Sequence, residues 1–498
     1  MNATALRQLV DVPDPKGWPV LGNALNIRPG IFHHQLEGWA RLYGGSFALR
    51  IGPRRYFAVT DPAAIASVLR RRPDIFHRTK RLEQISSDLG FVGVFSANGD
   101  VWRRQRPMVL AGLDPGHIKT FLPSLVDVTQ RLQRRWEAAA EDGRPLDLLA
   151  ELMRYMVDVT TSPAFGKNLN TLESDGVDTI QQHLNVIFPV LLRRLLAPVD
   201  VRHWVKDRAL EVHLKALKVA VLGFIANARA ELAAEPFLRE RPRNLIQALL
   251  VARDRSDSGV TDEDVSGNVF TMLLAGKDTT ASTLAWMIWL LFRNPAEADA
   301  VRAEVDEVLA GDDQVRVFEQ LARLDTIQTC AHETMRLKPV APLIINEAME
   351  DAVVSNVLVP RGSYVMCVMR PAAVDAAVVE QAQAFRPQRW AGARPDASNL
   401  RHACMPFGAG PRMCPGRYLA LAEIKMATAM LLSRFEIVDV GVEGGGEPSE
   451  RFTFVMRPRT CRCGCGCGRL PSGLRQPSRA LLALAPRDVQ NFRIGADG

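Results

Sequence analysis

One cysteine constrains this chain more than any other residue. Cys414 stands in the run Phe407-Gly408-Ala409-Gly410-Pro411-Arg412-Met413-Cys414-Pro415-Gly416, a loop rich in Gly and Pro, and an apolar stretch with helical spacing, residues 418–432, follows at once. The glycines let backbone pass close to a flat ligand and aim N–H groups at a sulfur. The helix that begins near Arg417 presents its positive N-terminal end to a thiolate, and Arg412 lies within reach of an acidic group. A thiolate so placed can serve as an axial ligand to haem iron, where it pushes electron density onto the metal and favours O–O cleavage.

Composition sets few further limits. The 498 residues suffice for one large domain or two, and a hydrophobic fraction of 47% with 23% charged residues is ordinary for a globular core. The net charge of +7 is mild. Clusters such as Arg70-Arg71-Arg72 and Arg103-Arg104 read either as a surface for an acidic partner or as solvated faces, and no nucleic-acid motif accompanies them. Cys330, Cys367, Cys404 and Cys414 are scattered without a disulfide-framework spacing, which suits a reducing compartment, while Cys461, Cys463, Cys465 and Cys467 crowd together near the end. Residues 1–12 carry Arg7 and Asp11 and no apolar run, so neither a signal peptide nor a membrane anchor is expected. The longest apolar stretch, residues 269–292, is interrupted by Lys277 and Asp278 and would span a membrane poorly. A soluble, cytoplasmic protein is expected.

The chain opens with a proline-rich segment, residues 13–19, too stiff for a helix. Residues 45–60 alternate around Gly52-Pro53 as a hairpin would. From there to about residue 432 the dominant signal is helical, in amphipathic blocks at 62–71, 100–110, 117–141, 146–162, 178–196, 209–234, 244–253, 261–292, 296–309 and 324–337. Strand-like runs at 352–358 and 363–368 interrupt it late. No internal period and no linker appears, so the fold class is mainly α with a small β portion. Three stretches divide it: a flexible 1–12, a single catalytic domain over 13–458, and an atypical 459–498.

Three further segments carry chemistry. Trp102 and Arg106 are four apart, hence on one helix face. Ala275-Gly276-Lys277-Asp278-Thr279-Thr280 lies mid-way along the longest helical block, which would extend about 48 Å. A glycine there costs roughly 1 kcal/mol, so it marks either a packing notch or a groove, and Thr hydroxyls can bond back to the preceding turn. Glu333 and Arg336 sit three apart before Pro339, and Arg389 lies in Phe385-Arg386-Pro387-Gln388-Arg389-Trp390. A carboxylate can accept from two guanidinium groups bidentately and pin a helix to a loop.

The pattern F-x-x-G-x-R-x-C-x-G at Phe407 to Gly416 resembles the haem-binding signature of the cytochrome P-450 superfamily. The other three segments match that family in order and spacing, over residues 13–458. The resemblance implies the cytochrome P-450 haem-thiolate fold, in a soluble bacterial-type member, and a monooxygenase that places one atom of O2 into a C–H or C=C bond. It makes Cys414 the axial ligand of haem b (iron protoporphyrin IX), with Phe407 and Gly408 in its loop. Trp102, Arg106 and Arg412 become propionate contacts, Thr279 and Asp278 proton carriers, and Glu333, Arg336 and Arg389 a buried structural triad. Lys277 falls on a variable position and is expected to point away from the haem. NAD(P)H-derived electrons are expected from a separate reductase with a ferredoxin or flavodoxin, and the protein is expected to be a monomer. Residues 85–96, 183–200 and 340–345 are mostly apolar and favour a lipophilic substrate. A peroxide-using or peroxide-rearranging relative generally lacks the Asp-Thr pair, and a non-catalytic haem sensor has no need of it.

Two departures stand out. Asn346 occupies a position that is often arginine in the family. After Pro458 the family has a final strand, whereas this chain reads Thr460-Cys461-Arg462-Cys463-Gly464-Cys465-Gly466-Cys467-Gly468. Zinc sites usually space paired cysteines two to four apart, and Gly makes a poor strand. With GC-rich codons, a shift of two bases would read Leu-Pro-Val-Arg-Leu-Arg-Leu-Arg there. Residues 459–498 are therefore expected to be a disordered tail, with a frame-shifted C-terminus as one origin.

Overall fold

The computed structural model describes residues 6–174, 179–197, 204–392, 400–441, 446–459 and 481–486. Helices dominate it, and the longest runs Asp262–Arg293 through the middle of the molecule. Its start is set by a capping box: the Thr261 hydroxyl accepts from the Asp264 N–H at 3.1 Å while the Asp264 carboxylate accepts from the Thr261 N–H at 3.0 Å. Pro295 opens the next helix and prevents continuation. Asp264 also accepts from Arg104 at 2.8 Å and from Gln105 at 2.7 Å, which ties the helix Gly99–Gly112 to the head of the long helix.

Two apolar cores flank this axis. One gathers Leu284, Trp286 and Leu291 with Trp136, Tyr155, Met430 and Leu432. The other gathers Val269, Phe270 and Leu273 with Phe91, Leu184, Leu217 and Phe224. Each fully buried side chain of this size contributes about 1.5–3 kcal/mol. A five-stranded sheet lies to one side, in the order Ser46–Ile51, Arg54–Val59, Tyr364–Val368, Leu343–Ala348, Phe76–Arg78. The expected hairpin at Gly52-Pro53 forms its outer pair.

Several expectations are corrected. Residues 352–358 are two strands rather than one run: Ala352–Val354 and Val357–Val359 fold back on each other through Ser355 and Asn356, at φ 50° and 60°. Two consecutive left-handed residues make the tight turn whose twist suits a hairpin. Within residues 6–12, Arg7–Gln8 pairs parallel to Val357 and Leu358, and Leu9 and Val12 are buried. The block expected at 178–196 is a helix as read, Thr179–Leu196, running through Pro189. Within the tail expected to be disordered, Leu481–Pro486 forms the middle strand of a three-stranded sheet between Phe435–Gly441 and Leu146–Asp147. The four tail cysteines lie outside the described residues. Among the described residues, no helix is long and apolar enough to cross a membrane.

Candidate haem site

Cys414 closes a tight loop by donating its N–H to the Phe407 carbonyl at 2.9 Å. Gly408 and Gly410 adopt φ of 75° and 70°, which only glycine takes cheaply. At Gly410 the approach also forbids a side chain, since a Cβ would lie 2.6 Å from the Leu69 carbonyl oxygen. The loop is thus pressed against the end of the helix Pro62–Arg70. Gly416 caps the helix Arg417–Arg434. Burial pushes the half-buried Cys414 thiol up, while the Gly416 N–H and the Arg106 and Arg417 guanidiniums favour the thiolate. A cation such as iron would decide the matter, because a coordinating thiol is deprotonated outright.

Beside this loop lies an unusual concentration of positive charge. Arg412 stacks over the Trp102 ring with its guanidinium carbon 4.7 Å from the centroid, and donates to the Ala97 carbonyl at 2.7 Å and the Asn98 side chain at 3.1 Å. Arg106 donates to the Met413 carbonyl at 2.5 Å. Arg72, only 1% exposed, donates to the Leu69 and Ala409 carbonyls, and Arg78 donates to the Phe95 carbonyl. Among the described residues none of these four arginines has a carboxylate partner. Burial, then mutual repulsion, lowers Arg412 to about 9; burial also lowers Arg72 to about 10, and it lowers Arg78 and Arg106 as well. Nε of Arg106 and of Arg412 is buried without an acceptor. Buried cations without anions are costly, and a flat ligand carrying two carboxylates would answer both the charge and the orphaned donors. The residues present fit a haem.

Trp102, Arg106 and Arg412 are therefore together beside the Cys414 loop. Arg72 and Arg78 were missed. Arg72 belongs to the basic run read as a surface cluster, and its burial corrects that reading. Arg78 stands in register with Asn346 across the strand pair. Asn346 itself is fully buried with its Oδ1 unpartnered, so the departure from arginine at that position stands opposite an arginine on the neighbouring strand.

On the long helix, Ala275 is exposed and Thr279 half-buried on one face, and Thr279 Oγ1 donates back to the Ala275 carbonyl at 2.8 Å. Gly276 is a packing notch: a Cβ there would sit 3.0 Å from Thr160 Oγ1. Lys277 is two positions round from both Ala275 and Thr279, buried at 2% exposure, with Nζ 3.5 Å from Asp278 Oδ1. Asp278 is buried too, and Arg457 lies near enough to feel its charge. A second carboxyl, missed from the sequence, sits across the helix: burial raises Glu423 to about 8, against a hydrogen bond from Thr280 that lowers it.

The expected triad is closed. Arg336 grips Glu333 through two contacts of 2.8 Å, Arg389 Nε donates to Glu333 at 3.0 Å, and Trp390 Nε1 adds a further donor at 2.8 Å. Of the apolar segments, Phe91 stacks on Phe270 at 5.0 Å and Phe95 meets Phe454 edge-on at 5.8 Å.

A model of the cytochrome P450 family matches residues 12–462. Carotene epsilon-monooxygenase of Arabidopsis thaliana, a chloroplastic protein, is 26% identical over 449 residues, covering 85% of this chain and 81% of that one. Cytochrome P450 734A6 of Oryza sativa subsp. japonica is 28% identical over 437 residues, covering 82% and 78%. A crystal structure of a cytochrome P450DA heme domain superposes with a TM-score of 0.80 at 21% identity, covering 97% of this chain and 99% of that one.

Proposed function

The chain belongs to the cytochrome P450 family and is a monooxygenase, and from that premise we propose that it oxidises a lipophilic small molecule with electrons from a separate redox partner. The observation that carries the reading is the set of four arginines, three buried and Arg78 half-buried, without carboxylate partners among the described residues beside the Cys414 loop. Haem supplies the oxygen chemistry when bound, in the overall balance RH + O2 + 2e⁻ + 2H⁺ → ROH + H2O. The protein's residues do the rest. Cys414, presented by the Phe407–Gly416 loop, would hold the haem iron through its thiolate. Trp102, Arg106 and Arg412, joined by Arg72 and Arg78, would hold the propionates. Thr279 and Asp278 pass protons from the long helix, a task set by reach more than by intrinsic pKa. Glu333, Arg336 and Arg389 keep the loop and helix behind the site in place.

Apolar side chains such as Phe91, Phe270 and Leu273 favour a substrate without charge. The likeness to a carotene monooxygenase makes carotenes the first compounds to try. Electrons come from a ferredoxin or flavodoxin and its reductase, and the protein works as a cytoplasmic monomer of bacterial type. Spectral titration of the purified holoprotein against apolar lipids, terpenoids and carotenes tests the substrate class. A saturable shift of the haem absorption by an apolar compound is expected; a response confined to charged, polar compounds would overturn it.

A further inference from the structure

Two lysines are buried among the described residues, and they are placed differently. Lys425, 6% exposed, donates to the Leu321 carbonyl at 2.8 Å. Lys277, 2% exposed, stands midway along Asp262–Arg293 with Nζ 3.5 Å from Oδ1 of Asp278. Burying an ammonium is expensive unless it is paired. The contact with Asp278 offsets a cost that an apolar residue at this position would not incur.

Helix geometry does not force that contact. Residues one apart project about 100° from each other and do not face one another. The stem of Lys277 therefore turns to bring its ammonium to the neighbouring carboxyl, and it does so away from water.

Asp278 is 5% exposed, and its Oδ1 is buried without a hydrogen-bond donor among the described residues. At 3.5 Å from Nζ, that oxygen is held by charge rather than by a close hydrogen bond. The half-buried Arg457, on the strand Met456–Arg459, lies near enough to feel the same carboxyl. Thr279 follows on the helix and donates its hydroxyl to the Ala275 carbonyl at 2.8 Å.

We propose that Lys277 is a positioning residue for proton delivery: its ammonium fixes Asp278 by Oδ1 and leaves Oδ2 to take and pass protons. The inference rests on the reading of Asp278 and Thr279 as proton carriers. A proton taken from water by Oδ2 passes to the Thr279 hydroxyl as that hydroxyl releases its own into the site. The carboxylate is restored, and Lys277 keeps its charge throughout. Without the ammonium, the attraction of Arg457 acts on the carboxyl alone.

The test uses full-length holoprotein carrying Lys277→Met, which keeps an unbranched stem and removes the charge. Lys277→Arg, Asp278→Asn and the double variant Lys277→Met/Asp278→Asn stand beside it. NADPH drives turnover through a ferredoxin and its reductase with β-carotene present, and NADPH, oxygen and hydrogen peroxide are counted. Lys277→Met should slow NADPH oxidation about tenfold, as a misplaced catalytic group does. It should also raise the share of electrons leaving as peroxide and deepen the slowing in heavy water, because the proton step becomes the slow one. Lys277→Arg should restore most of all three. In the Asp278→Asn background, Lys277→Met should change none of them further.

A Lys277→Met protein with wild-type rate, peroxide share and heavy-water ratio would overturn the proposal, whatever its stability. Full additivity of the two substitutions would overturn it too. Should Lys277→Met fail to accumulate, Lys277→Gln takes its place. If the wild type oxidises no NADPH with these partners, the proposed function fails instead, and urea midpoints of the wild type, the two single variants and the double decide the pair. The double should then lose less than the sum of the single losses, and a loss equal to that sum overturns the pair.

Discussion

Two groups of largely buried arginines differ in one respect. Arg336 and Arg389 converge on Glu333, whose oxygens also accept from Trp390 and from the Arg386 N–H, so each guanidinium in that group meets a carboxylate. Arg72, Arg78, Arg106 and Arg412 make only carbonyl, amide and aromatic contacts, and their charges repel one another. A matched cluster is complete as folded. An unmatched one costs stability until something anionic arrives, which is how a binding site differs from a staple.

The largest effect should come from breaking the matched group. Glu333→Gln leaves two guanidiniums without their anion in the interior, and should cost about 3–5 kcal/mol in urea unfolding of apoprotein and holoprotein alike. Arg412→Met should do the opposite to the apoprotein, leaving its urea midpoint unchanged or higher. Its haem affinity should fall by about tenfold to a hundredfold, the worth of a charged hydrogen bond at about 1.5–3 kcal/mol, read as haem transfer to apomyoglobin. Parallel losses of apoprotein stability in the two variants would erase the distinction.

Glu423 supplies an acidic counterpart to the unmatched arginines. Its folded-state pKa, raised to about 8 from 4.5 chiefly by burial, means that the native state holds its proton while the unfolded state has lost it. Stability therefore falls as pH rises from about 4.5 to about 8. Glu423→Gln should flatten that decline, gaining about 4 kcal/mol at pH 8 and next to nothing near pH 4.5. An unaltered pH profile would mean that the carboxyl finds a cation. The smallest structural effect belongs to Thr279→Ala, whose hydroxyl only bonds back within its helix. Under about 1 kcal/mol of stability should be lost, while the share of consumed NAD(P)H appearing as hydrogen peroxide rises, as measured with a reconstituted reductase.

What the sequence discloses and what it conceals follows from the range of the forces involved. Cys414, Trp102, Arg106, Glu333 and Arg336 are legible because each sits in a short pattern whose spacing is set by one loop or one helix face. Arg389 is legible because the same carboxylate recruits it from a second short motif. Arg72 and Arg78 are not, since a basic residue before a proline or at a strand end looks solvated until the sheet and the Cys414 loop close over it. Trp390 hides for the same reason, its indole N–H finding Glu333 across 57 residues. The turn at Ser355-Asn356 was lost inside an apolar run, because neither residue demands a left-handed conformation. Leu481–Pro486 offers a short apolar run after a stretch of Gly, Arg and Pro, and only its two partner strands make it a strand.

On the proposed function, Cys414 and the unmatched arginines beside it would hold a haem through thiolate ligation. The most direct measurement is the absorption spectrum of the reduced, CO-bound protein, wild type against Cys414→Ser. The wild type should show the red-shifted Soret band of a thiolate-ligated haem, and the serine variant should lose it. A serine variant that keeps the band, or a wild type that never shows it, would contradict the assignment.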